Sequence, residues 1–117
     1  MKRHWLLLVV CAIACHGRGA TGHDAGDPVR GRLALQRYSC GACHEITGVS
    51  NAHGRVGPVL ARLRDQAIIA GYLPNTLDNL VRWIRDPQSV APGNAMPNLG
   101  IDEPTARDMA AYLYTVR

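Results

Sequence analysis

Apolar positions recur at helical spacing in three separated stretches of the chain, and a two-residue alternation is sustained in none of them, which predicts an all-α fold. The first stretch opens on Asp27-Pro28, a capping carboxylate followed by a proline that forfeits no hydrogen bond at the first helical position. Val29, Leu33, Leu35 and Gln36 follow, predicting about three turns running towards Ser39. In the second, Leu77, Leu80, Val81 and Ile84 form one stripe that Asn75 or Thr76 caps and Pro87 stops, a helix over 76–86. The third starts at Asp102, with Glu103 at its positive end, and lines up Ala106, Met109, Ala110, Leu113 and Val116. Between these stretches, residues 47–57 are rich in Gly and polar side chains, residues 58–64 suit a short helix, and residues 92–98 hold two prolines and a glycine, an irregular loop. The expected architecture is therefore small and helical, with helices at both ends and a loop-rich middle.

The N-terminus follows a different pattern. Lys2 and Arg3 precede an unbroken apolar run from Trp5 to Cys15, then small and polar residues, the layout of an export signal over residues 1–22. That run is too short to cross a bilayer as a helix. Small residues permit cleavage after Gly19 or Gly22, while Ala12-Ile13-Ala14-Cys15 resembles a degenerate lipobox in which Cys15 would carry lipid. Residues 23–27 then form a flexible leader, and residues 28–117 the domain. The expected location is the periplasm or the outer face of the cytoplasmic membrane, with contact to the membrane surface only through lipid or a complex.

At 117 residues, the chain has room for one domain. Its formal charge of +4 arises from 13 Lys+Arg against 9 Asp+Glu. Lys2, Arg3 and Arg18 fall within the signal, so the remainder is nearly balanced and offers no basic surface for nucleic acid. The absence of Phe is notable for so small a core, and suggests that something other than aromatic side chains fills its centre.

Candidate chemistry centres on Cys40-Gly41-Ala42-Cys43-His44. Two thiols three residues apart share one side of a helical turn, where each can add across one vinyl group of a haem to give a thioether. His44 is then carried to the iron as a proximal ligand. Three other readings use the same residues. A redox dithiol needs a strand-to-helix turn of an α/β fold, a zinc site needs a fourth ligand for which His53 is the available histidine, and a disulfide across so short a loop constrains the unfolded chain little. Candidates for the sixth ligand are Met96, Met109, His53 and His23. Met109 lies on the apolar stripe of the last helix, and both histidines stand in polar, Gly-bearing stretches, whereas Met96 sits in the Pro-bounded loop, 52 residues beyond His44. The carbonyls around Gly57-Pro58 are candidates for holding the second imidazole nitrogen, and the Trp83 indole for reaching a haem propionate.

Together these residues resemble the class I c-type cytochromes: the haem-attachment motif, Gly57-Pro58, Met96-Pro97, and Tyr112 in the last helix, which in that family packs on a glycine of the first, here Gly31. From Ala70 to Tyr112 the sequence is similar to the cytochrome c domain fused to subunit II of some bacterial cytochrome oxidases, although Gln66 stands where a basic residue is usual. The resemblance implies one covalent haem c with His44 and Met96 as axial ligands. It also implies single-electron transfer rather than catalysis, between respiratory partners such as a terminal oxidase or a quinol-oxidising complex. The alternative is a haem-based peroxidase or gas sensor whose distal Met dissociates.

Overall fold

The computed structural model describes residues 25–117, so the signal reading, Cys15 and His23 lie outside the described residues. Asp27 caps helix α1 (Pro28–Arg37), its carboxylate accepting the N–H groups of Val29 at 2.8 Å and Arg30 at 3.2 Å. Asp102 does the same for α4 (Glu103–Leu113), accepting from Thr105 at 2.8 Å. The two terminal helices pack on each other, and Ala106, Met109, Ala110, Leu113 and Val116 are buried as their spacing predicts.

The buried face of α1 differs from the expected stripe. Gly31, Ala34 and Leu35 are buried, while Val29 and Leu33 are 66% and 48% exposed. Close approach explains the difference. A Cβ on Gly31 would collide with the Asp108 carbonyl, so the smallest residue, rather than the largest apolar ones, marks where the helices cross. The atoms nearest that position belong to the backbone of Asp108 and Met109, and the Tyr112 hydroxyl donates to the Thr47 carbonyl at 2.8 Å. Beside the crossing, the buried Asp108 carboxylate accepts Asp27 N–H at 2.6 Å and Arg30 Nε at 2.7 Å, tying the start of α1 to α4.

Helix α2 (Leu77–Arg85) begins where predicted, with Thr76 Oγ1 accepting from Asn79 N–H at 3.2 Å, and buries Leu80, Val81 and Ile84 against α4. Pro87 ends α2 but also starts a single turn, α3 (Pro87–Val90), capped by Asp86. Two further features escape the helical pattern. Strands β1 (Ile68–Ile69) and β2 (Leu73–Pro74) form a minimal antiparallel pair, too short to show as alternation, around a turn with left-handed φ at Ala70 and Gly71. Residues 58–64 are not a helix, and only Leu63–Asp65 forms a 3₁₀ turn. Their backbone groups are engaged elsewhere: Leu60 N–H by the Glu45 carbonyl at 2.9 Å, Arg62 N–H by Val116 at 3.0 Å and the Pro58 carbonyl by His44.

The carboxyls of Asp86 and Asp102 are both held below the usual range, Asp86 chiefly by the Asn98 amide and Asp102 by the Thr105 N–H. A carboxyl whose folded pKa is depressed stabilises the fold above its unfolded value of ~3.9, and that contribution is lost as pH falls through the folded value. The melting temperature should therefore hold steady down to about pH 5 and fall as the pH drops further below about 4. Thermal melts followed by circular dichroism across this range check the sign.

Candidate haem-binding site

At the end of α1, Ser39 adopts a left-handed conformation (φ 57°) that turns the chain into a 3₁₀ turn, Cys40–Ala42. The Cys40 carbonyl accepts both Cys43 N–H at 3.2 Å and His44 N–H at 3.0 Å, winding the two thiols and the imidazole onto one compact turn. Both cysteines are free and half-buried, and burial pushes the Cys40 thiol up, so it stays protonated at neutral pH.

The segment after the motif folds back over it. Gly54 N–H donates to Gly41 at 3.0 Å and Gly57 N–H to Cys43 at 2.8 Å. His44 Nδ1–H donates to the Pro58 carbonyl at 2.7 Å, the partner expected from the sequence, which leaves Nε2 free to ligate a metal. Gly57 is required here because any Cβ at that position would strike the His44 ring. Gly57→Ala should consequently cost about 1–3 kcal/mol through overpacking and tilt the imidazole off Pro58. A lowered melting temperature with an altered spectrum checks this, and an unchanged spectrum and melt would remove Gly57 from the site.

Cys40, Cys43, His44 and Met96 all line one cavity of about 700 Å³, within the range of small-molecule and cofactor sites. Trp83 and Met109 contribute to its wall, and no Lys, Arg, Asp or Glu does. Size, apolar lining, two thiols, an imidazole and a thioether all suit a covalently attached haem. A more open groove of about 910 Å³ lies along α2 and the start of α4, but it contains none of these residues. Its charges pair with one another, Arg85 with Glu103 at 3.4 Å and Arg107 with Asp78 at 3.0 Å.

The alternative ligands are distributed as follows. Met109 is completely buried in the α1–α4 core besides facing the cavity, whereas His53 is exposed, bridges to Glu45 through the backbone and does not line it. No group of three or more His, Cys, Asp and Glu side chains among the described residues could hold a metal ion, which leaves the zinc reading without a ligand set. Met96 is half-buried, and both its peptide groups are held by side-chain amides: its N–H donates to Asn94 Oδ1 at 2.7 Å, and its carbonyl accepts from Gln88 Nε2 at 2.7 Å. Sequence reasoning missed Gln88 and Asn94. Amide residues flanking a proline-bounded loop were the available signal, since such a loop has backbone groups to satisfy. It also missed Asn75, whose Nδ2 donates to the carbonyls of Leu63 at 2.7 Å and Gln66 at 2.6 Å while its Oδ1 accepts the Tyr114 hydroxyl, bracing part of the cavity wall.

No protein-family model matches the chain. Among solved structures, cytochrome c2 from Rhodobacter sphaeroides superposes with a TM-score of 0.56 at 24% identity, covering 78% of this chain and 96% of that one. The chain has the class I cytochrome c fold. The chain is 37% identical over 89 residues to cytochrome c oxidase subunit 2 of Alkalihalophilus pseudofirmus (strain ATCC BAA-2126 / JCM 17055 / OF4), 75% of this chain and 25% of the relative. It is 43% identical over 65 residues to cytochrome c oxidase subunit 2 of Bacillus sp. (strain PS3), 54% of this chain and 18% of the relative. The chain thus spans a quarter or less of the length of these curated relatives, and resembles one part of them.

Proposed function

We propose that this protein is an exported monohaem electron carrier of the respiratory chain, without catalytic activity of its own. The observation that carries the reading is the convergence of Cys40, Cys43, His44 and Met96 on one cavity free of Lys, Arg, Asp and Glu. Cys40 and Cys43 would hold haem c by thioethers, with His44 Nε2 and Met96 Sδ as axial ligands. When bound, haem c supplies a one-electron ferric/ferrous couple.

The chain's own residues set the conditions for that couple. The Pro58 carbonyl orients His44 and makes its Nε2 more basic. The apolar wall excludes water and limits solvent reorganisation, and the soft Met96 thioether favours the reduced metal. A peroxidase or gas sensor would need Met96 to leave readily, and the paired amides on its backbone oppose that. Docking at an uncharged cavity mouth implies weak electrostatic steering.

The resemblance to cytochrome c oxidase subunit 2 supports a terminal oxidase as one partner, with a quinol-oxidising complex as the corresponding donor. Export to the periplasm or the outer face of the cytoplasmic membrane, with either signal cleavage or lipidation at Cys15, belongs to the same proposal. The test is to express the full chain with haem-maturation machinery, then combine intact mass with a redox titration. The expected result is a haem mass on the polypeptide, a reversible one-electron wave, and electron-transfer rates that change little with added salt. A colourless product of unmodified mass overturns the proposal, and a steep salt dependence overturns the docking part of it.

A further inference from the structure

We propose that Gln88 is a positioning residue for Met96, whose side chain latches the distal loop shut and keeps the thioether from yielding its place to small ligands. This rests on Met96 being the distal ligand. Gln88 lies on α3, outside the loop, and spends every polar atom of its side chain on that loop. Its Nε2 donates to the carbonyls of Asn94 at 3.0 Å and Met96 at 2.7 Å, and its Oε1 accepts Gly93 N–H at 3.0 Å. The amide orientation is self-consistent, because the reverse assignment would set an oxygen against two carbonyls and an NH₂ group against an N–H.

The rest of the loop is tied to the same short turn. Asn94 Nδ2 donates to Ala91 at 2.7 Å and Pro87 at 3.1 Å, which aims its Oδ1 at Met96 N–H. Past the methionine, Asn98 Oδ1 accepts Gln88 N–H at 3.3 Å, and Asn98 Nδ2 donates to Asp86 at 2.7 Å. Met96 is therefore fastened on both sides. Of the two amides on its own backbone, Asn94 travels with the loop and Gln88 does not. Outward movement of Met96 against α3 must break the Gln88 bonds, whatever becomes of those Asn94 and Asn98 make to the same turn.

A soft thioether binds ferric iron less well than ferrous. In the oxidised protein the hold on Met96 then depends on the loop, and Gln88 supplies a large part of it. Replacing Gln88 by Met keeps the length of the side chain and removes both donors and the acceptor. The expected effect is about a tenfold rise in the population of open loop, the ratio that corresponds to ~1.4 kcal/mol of lost hydrogen bonding.

The test uses the haem-loaded full chain and two readouts, imidazole affinity of the ferric protein and the intensity of its sulfur-to-iron charge-transfer band. Gln88→Met should bind imidazole about tenfold more tightly than wild type and show a weaker band, with its helical circular dichroism unchanged. In Gln88→Glu, a carboxylate facing two carbonyls should weaken the band at pH 7. Protonation near or above pH ~4.3 restores one O–H donor, so the band should recover on acidification, a return that Gln88→Met cannot show. Asp86, held below the usual carboxyl range, remains ionised through that recovery and continues to bind Asn98. A band and an imidazole affinity at wild-type level in Gln88→Met, or no acid recovery in Gln88→Glu, overturn the latch alone. If wild type itself lacks the band and Met96→Ala changes neither readout, the ligand assignment fails, and the latch with it.

Discussion

The double variant Cys40→Ser/Cys43→Ser, purified free of haem, should fail to fold cooperatively. On the proposed reading the two thiols would be the covalent hold on the group that fills the middle of this domain, and the chain has nothing else of that size to put there: it contains no Phe and only two Trp, one of them Trp5 in the signal-like segment. A cavity of about 700 Å³ left without its occupant deprives its apolar lining of contacts on one side, a large loss for a domain of this size, whose stability is usually ~5–15 kcal/mol. The expected outcome is weak, non-cooperative helical circular dichroism on heating, and the α1–α4 contact is the part most able to persist locally. A sharp cooperative melt of the haem-free variant would show that the side chains close the core unaided, and would remove the basis for treating the cavity as a cofactor site.

Met96→Ala should convert a closed carrier into a ligand-binding protein. In the reduced wild type, carbon monoxide should leave the spectrum unperturbed. In the variant, binding should be rapid and stoichiometric, because truncation at Cβ removes the sulfur while leaving the loop's backbone bonds to Asn94 and Gln88 in place. The midpoint potential should fall by on the order of 0.1 V, within the ~0.8 V that axial ligation commands. If the variant resists carbon monoxide as wild type does, Met96 is not the distal ligand, and Met109, the other methionine facing the cavity, becomes the candidate. Met109→Leu is the matching control. Its side chain is buried in the α1–α4 core, so the main effect there should be on stability, at less than about 1.5 kcal/mol, with carbon monoxide still excluded.

Much of the site was legible because its chemistry is local. Cys40, Cys43 and His44 occupy five consecutive residues, and the bond geometry of one turn suffices to place them together. The Pro58 carbonyl could be anticipated for a related reason, since an imidazole bound through one nitrogen needs an acceptor for the other. Gln88 and Asn94 were not legible. Both are ordinary surface-type residues, and their role arises only because α3 stands beside the loop it serves. The helix expected over 58–64 failed for the converse reason, its backbone partners coming from His44, Glu45 and Val116 in other segments.

By itself the sequence determined where the main helices begin and end, since capping carboxylates, prolines and apolar periodicity act within a few residues of one another. It also determined the attachment motif. Only the tertiary structure decided which face of α1 is buried, because the limit on helix approach is set at Gly31 by the Asp108 carbonyl, from a segment 77 positions away on α4 that no local pattern reveals. The same holds for the cavity that collects His44 and Met96. Local interactions are written in neighbouring residues, whereas close packing depends on which distant atoms meet, and that is settled only when the chain has folded.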